Sequence, residues 1–91
     1  MDKRTQGFDR YLEFQFSQTG SFFTALFNAI KFADPGNLLR LNLAFPYEVE
    51  AYLVYTRISL QDFLARCSEG HPLIARMQSE YETRKEGEHG K

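Results

Sequence analysis

The stretch Ser21-Phe22-Phe23-Thr24-Ala25-Leu26-Phe27-Asn28-Ala29-Ile30-Lys31-Phe32-Ala33 decides the fold class. At about 100° per residue, its four polar side chains (Ser21, Thr24, Asn28 and Lys31) fall within one helical arc of about 80°. Every other position is Phe, Ala, Leu or Ile. A surface helix ordinarily carries a limited apolar stripe, so one that is apolar over most of its circumference demands cover on several sides. That cover comes from helices of the same chain or from a second chain. Ser21 suits the N-cap, and Asp34-Pro35 stops the segment, because a residue before proline is driven out of the helical region.

Helix punctuation recurs on both sides of this stretch. Upstream, Phe8, Tyr11, Leu12 and Phe16 lie on one side of a helix from about Asp9 to Gln18. Thr19-Gly20 ends it, glycine being favoured where a helix closes in the left-handed conformation. Downstream, Asp34-Pro35-Gly36-Asn37 reads as a turn in which Asp34 or Asn37 caps a third helix. Leu38, Leu39, Leu41, Leu43 and Phe45 follow with mixed spacing. Residues 37–45 therefore read as a helix or as a short strand, the strand having nothing to pair with.

Pro46 suits the first turn of a fourth helix, where Glu48 and Glu50 complement the positive end of the helix dipole. Val49, Tyr52, Leu53 and Thr56 continue one face. In Ile58-Ser59-Leu60-Gln61-Asp62-Phe63, Ser59 can cap a fifth helix with Asp62 as its capping-box partner, and Ile58 and Phe63 occupy hydrophobic-staple positions. That helix turns Leu60, Phe63, Leu64 and Cys67 inward and ends near Gly70. His71-Pro72 opens a last helix with Leu73, Ile74, Met77 and Tyr81 at helical spacing. The polar run over residues 84–91 predicts a flexible tail. The fold predicted is all-α: a single domain over residues 1–83, an irregular bundle of five or six short helices around the apolar helix at 21–33.

With 91 residues there is room for one domain, and 43% hydrophobic with 15% aromatic residues excludes global disorder. The net charge is −1, and no segment concentrates the positive field that binding a phosphate backbone requires. Nucleic acid is disfavoured on that ground. Cys67 is the single cysteine, so no intrachain disulfide forms, which points to a reducing compartment. MDKRTQGFDRYLEF contains no signal-peptide core, and no apolar run reaches the ~18 residues of a membrane span. The expectation is a cytoplasmic protein without membrane contact.

Candidate chemistry is sparse. Cys67 and His71 are four residues apart, but no second Cys/His pair completes a tetrahedral metal site. Cys67 reads as a small core residue and His71 as a capping or exposed one. A Cys–His nucleophile would need an oriented base and an oxyanion hole in a water-excluding cleft. The pairs Asp9/Glu13 and Glu48/Glu50 read as solvated carboxylates or helix-start charges. Thr19-Gly20-Ser21 lacks the lysine and further glycines of a phosphate loop. Ser68-Glu69-Gly70-His71 invites a helix-turn-helix reading, yet the would-be recognition helix begins Pro72-Leu73-Ile74-Ala75, apolar where base-reading side chains are needed.

No catalytic, cofactor-binding or metal-binding residue and no small-molecule substrate follow from the sequence. The function predicted is a non-enzymatic interaction module with a protein partner or as a homo-oligomer. A small nucleic-acid-binding transcriptional regulator is the alternative. Phe22, Phe23, Phe27, Tyr52 and Tyr55 are the candidate interface residues, aromatics being the usual anchors of protein interfaces.

The segment Thr19-Gly20-Ser21-Phe22-Phe23-Thr24-Ala25-Leu26-Phe27, then Ala33-Asp34, Asn37-Leu38 and Ala44-Phe45-Pro46-Tyr47-Glu48-Val49-Glu50-Ala51-Tyr52, carries a resemblance. Over residues 19–55 the chain resembles small uncharacterised helical proteins of bacterial phages and other mobile elements. The resemblance implies a bacterial cytoplasmic setting and a compact accessory protein acting on a host or phage protein. It brings no functional residues with it.

Overall fold

Asp2 starts the first helix, its side chain accepting the Arg4 backbone N–H at 2.9 Å. In the computed structural model, which describes residues 2–89 and the side chains of residues 2–83, α1 runs Lys3–Gln15. It thus begins at Lys3 rather than near Asp9, and it closes sooner than expected. Ser17 adopts φ 57°, while Ser17 N–H donates to the Phe14 carbonyl at 3.0 Å and Gln18 N–H to the Glu13 carbonyl at 2.8 Å. These paired bonds satisfy carbonyls that the helix end would otherwise orphan. Gly20, expected in that left-handed role, is extended and is itself the N-cap of α2, Ser21–Phe32, so Ser21 is the first helical residue rather than the cap.

Asp34 settles the uncertain segment. Its Oδ1 accepts the Asn37 backbone N–H at 2.8 Å, and Pro35 supplies a preset first residue, so residues 35–44 form a helix, α3 (Pro35–Ala44). Pro46 opens α4 (Pro46–Leu53), which widens into a π-helical turn over Val54–Ile58. Ser59 leaves that turn extended, and its Oγ accepts the Asp62 N–H at 3.0 Å to start α5 (Leu60–Arg66). Ile58 stays 60% exposed, so burial at this junction comes from Phe63 and not from an Ile58–Phe63 staple. α5 stops at Arg66, short of Gly70, which takes φ 80° inside the following loop. His71 Nδ1 then accepts the Leu73 N–H at 3.1 Å and caps α6 (Pro72–His89). The flexible tail expected over 84–91 falls on side chains, and at Gly90 and Lys91 on whole residues, that lie outside the described residues.

The protein is therefore an all-α bundle of short helices, with no strand among the described residues. The helix at its centre is α1, however, and not the apolar α2. α1 packs against α2, α4, α5 and α6, whereas α2 packs against α1 and α4. Two features of α1 explain its place. Phe8, Tyr11 and Leu12 are buried, and Gly7 brings the backbone against α4, where a Cβ would sit 2.8 Å from the Tyr47 carbonyl oxygen. Tyr11 is ringed by aromatic partners, with Phe27 at 5.0 Å, Tyr55 at 5.2 Å, Phe63 at 5.7 Å and Tyr52 at 6.1 Å between centroids. Offset and edge-on contacts of this kind add to the burial of each ring.

Candidate interaction surface

α2 is covered on half of its apolar circumference. Leu26, Phe27 and Ile30 are buried and Phe23 is half-buried, an arc of about 100°. The neighbouring apolar arc of Phe22, Ala25, Ala29 and Phe32 faces out, with Phe32 79% exposed. α3 extends this open surface and contains no buried residue at all. Leu38 and Leu41 lean on the core, while Leu39 and Leu43, one turn apart, project outward at 63% and 78% exposure.

Two open clefts give the surface its relief. One, about 430 Å³, lies between α2 and α3 and is lined by Ala29, Phe32, Ala33, Arg40 and Leu41 among others. The second, about 500 Å³, lies on the α4 side of α3 and is lined by Ala33, Leu38, Leu39, Leu53 and Arg57 among others. Ala33, at the α2–α3 corner, lines both clefts. Phe22 marks the other end, its ring 5.9 Å from that of Phe45.

The five sequence candidates scatter. Phe22 is exposed on this surface. Phe23 is half-buried beneath the Arg10 guanidinium, 4.3 Å from the ring centroid. Phe27 is fully buried and is a core residue, corrected here because its side of α2 meets Tyr11 and Phe14. Tyr52 and Tyr55 are half-buried against Tyr11, and the Tyr55 hydroxyl donates to Gln15 Oε1 at 3.4 Å. Phe32, Leu39 and Leu43 were missed. A signal existed in α3, where Leu39 and Leu43 share one face while Leu38 and Leu41 already supply a buried-side pair.

Asp9 and Glu13, expected on the solvent side, are instead ties between elements, and Glu48, which stands in the first turn of α4 as expected, and Glu50 make ties as well. Asp9 is buried and accepts both the Ser68 backbone N–H, at 2.7 Å, and the Ser68 hydroxyl. Glu13 lies 3.1 Å from His71 Nε2. Because Nδ1 accepts from Leu73, the ring proton is assigned to Nε2, which donates to Glu13. Glu48 is buried and pairs with Arg10 at 3.6 Å, and Glu50 holds Arg4 Nε at 2.8 Å with Arg66 at 3.9 Å. Each carboxylate satisfies a donor from a distant part of the chain, which a solvated role would leave unmet.

Cys67 is a buried residue whose thiol lies 3.5 Å from the Phe63 carbonyl. Burial first, and then the charge of Asp9, push its pKa up to about 12. The thiol stays protonated at neutral pH, and the thiolate is the reactive form. Among the described residues no three His, Cys, Asp or Glu side chains gather closely enough to hold a metal ion. No helix among the described residues is long and apolar enough to cross a membrane. Comparison with known proteins gives no match, whether with family models, curated proteins or solved structures.

Proposed function

We propose that the protein is a non-catalytic interaction module that docks a protein partner on its α2–α3 surface. The observation that carries this reading is α3 itself, a helix with Leu38, Leu39, Leu41 and Leu43 and no buried residue. Contiguous apolar surface of this kind is uncommon on a monomer that works alone and marks sites of association. An accessory role in a bacterial cytoplasm, as the resemblance to phage and mobile-element proteins implies, suits such a module.

A photoreactive benzophenone side chain placed at Leu43 in cells of the native host tests the reading. A crosslinked adduct at position 43, absent when the same group stands at exposed Gln78 on α6, is the expected result. An adduct of twice the 10.6 kDa chain mass would identify self-association, and any other mass a foreign partner. No adduct at position 43 under conditions that preserve the fold would overturn the reading.

A further inference from the structure

We infer, resting on that interaction reading, that the α2–α3 surface takes an acidic amphipathic helix of another protein in preference to a second copy of this chain. The charges around the surface carry the inference. Arg40 lines one cleft and Arg57 the other, and no acidic side chain lines either. Lys31 adds a third cation beside the exposed Phe32, its ammonium 5.8 Å from that ring's centroid. Arg40 spends one hydrogen bond on Asn37 Oδ1, at 3.1 Å, and none of the three cations has an ion-pair partner among the described residues. Every other arginine with a described side chain does: Arg4 and Arg66 on Glu50, Arg10 on Glu48, Arg76 on Glu80.

Around Lys31 and Arg40 the sequence supplies little compensation. Asp34 is the one acidic residue between Phe14 and Tyr47, and its carboxylate is engaged by the Asn37 backbone N–H at 2.8 Å and by Asn37 Nδ2 at 3.3 Å. The surface is thus an apolar face rimmed by unpaired positive charge on a chain whose net charge is −1. A second copy docking through the same patch about a two-fold axis would set the surface carrying Lys31, Arg40 and Arg57 against the same positively charged surface of its partner. Like charges brought together across an interface oppose association, and opposite charges direct it. Carboxylates flanking an apolar seam on a foreign partner complete the pairs that the chain leaves open.

The relief selects a helix. Leu39 and Leu43 form a ridge with one-turn spacing, Leu39 lines the cleft on the α4 side, and Ala33 lines both clefts. Helices pack by seating such ridges in grooves, and helical ligands engage grooves through anchors at i, i+3 or i+4, and i+7.

The test is a display selection of random peptides about 16 residues long, roughly four helical turns, on the immobilised full-length protein. Enriched peptides should carry apolar residues at helical spacing flanked by Asp or Glu. A representative peptide should lose about tenfold or more in affinity to the Arg40→Glu, Arg57→Glu double variant, and should weaken as salt is raised. Leu39→Asp should abolish its binding, with circular dichroism confirming that each variant stays folded. Enrichment of peptides without an acidic excess, binding indifferent to the charge reversal, or no enrichment at all overturns the inference. In those cases an adduct at position 43 would leave the interaction reading standing, whereas its absence would remove both.

Discussion

α1 and α3 are short helices of similar length with opposite fates. α1 is held by both kinds of contact: Phe8, Tyr11 and Leu12 lie in the core, Asp9 and Glu13 reach the α5–α6 loop, and Arg4 and Arg10 reach α4. α3 is held by the Asp34 cap and by two half-buried leucines, and its remaining leucines face water. Stability in a folded chain is unevenly distributed, and elements with little buried surface open at lower free-energy cost. The difference teaches a division of labour. α1 uses both its apolar and its polar faces to hold the fold, and α3 leaves Leu39 and Leu43 open to solvent, where we propose that a partner docks.

The widest separation between the two regions should come from truncating aromatic rings. Phe27→Ala or Phe63→Ala removes a fully buried ring from the cluster around Tyr11 and should cost about 3–5 kcal/mol. Since a domain of this size has about 5–15 kcal/mol in total, urea titration should find that these variants have lost roughly a fifth of their stability or more. A loss under 1 kcal/mol would mean that the ring cluster is loosely packed, and the contrast with α3 would collapse.

Two glycines make a smaller and sharper comparison, because the same substitution should change sign between the helices. At Gly7 in α1 a Cβ would meet Tyr47 backbone at 2.8–2.9 Å, so Gly7→Ala must push α1 from α4. The expected loss is about 1–3 kcal/mol, against an intrinsic helical gain of about 1 kcal/mol. At Gly36 in α3 the added Cβ would approach only Asp34 Oδ1, at 3.6 Å, an ordinary contact. Gly36→Ala should therefore stabilise by about 0.4–1 kcal/mol. Thermal melts of the two variants should move in opposite directions, and movement in the same direction would refute the close α1–α4 approach.

Much of the outer punctuation was legible from residues close in sequence. The Asp34 and Ser59 caps and the helix start at Pro46 depend on contacts within three residues, which a linear reading can follow. The polar ties of α1 were not legible, since Asp9 meets Ser68 across 59 positions and Glu13 meets His71 across 58. Nothing local to a carboxylate announces a donor so far along the chain. The end of α1 escaped for a related reason: Ser17 takes the left-handed turn that Gly20 is chemically better suited to. For the surface, the apolar circumference of α2 signalled a need for cover. It could not say which arc would stay open, because that depends on where α1 and α4 approach.

Alkaline pH tests whether the core around α1 excludes water. Burial raises the Cys67 pKa from 9.0 to about 12 in the folded chain, and burial likewise raises that of Tyr11. As pH climbs past 9 the unfolded thiol ionises while the folded one stays protonated, so the unfolded state binds fewer protons and stability falls. The loss approaches ~1.4 kcal/mol per pH unit for each group over the interval between its two pKa values. Stability measured below pH 9 should be flat with respect to these groups, and Cys67→Ala should make the decline above it shallower. An unchanged slope in that variant would mean that water reaches the thiol.

The smallest effect on stability is expected where the proposed function is concentrated. Phe32→Ser and Leu43→Ser alter side chains 79% and 78% exposed, and each should shift unfolding free energy by no more than about 0.5 kcal/mol. Their effect should appear in association: the acidic peptides selected on the wild-type protein should bind these variants more weakly. Equivalent binding would show that the outward side chains of α2 and α3 are incidental. A large loss of stability would show instead that they are structural, and α3 would then join α1 as part of the scaffold. A stable protein that has lost its ligand is the result that keeps the two helices apart, one holding the fold and the other presenting it.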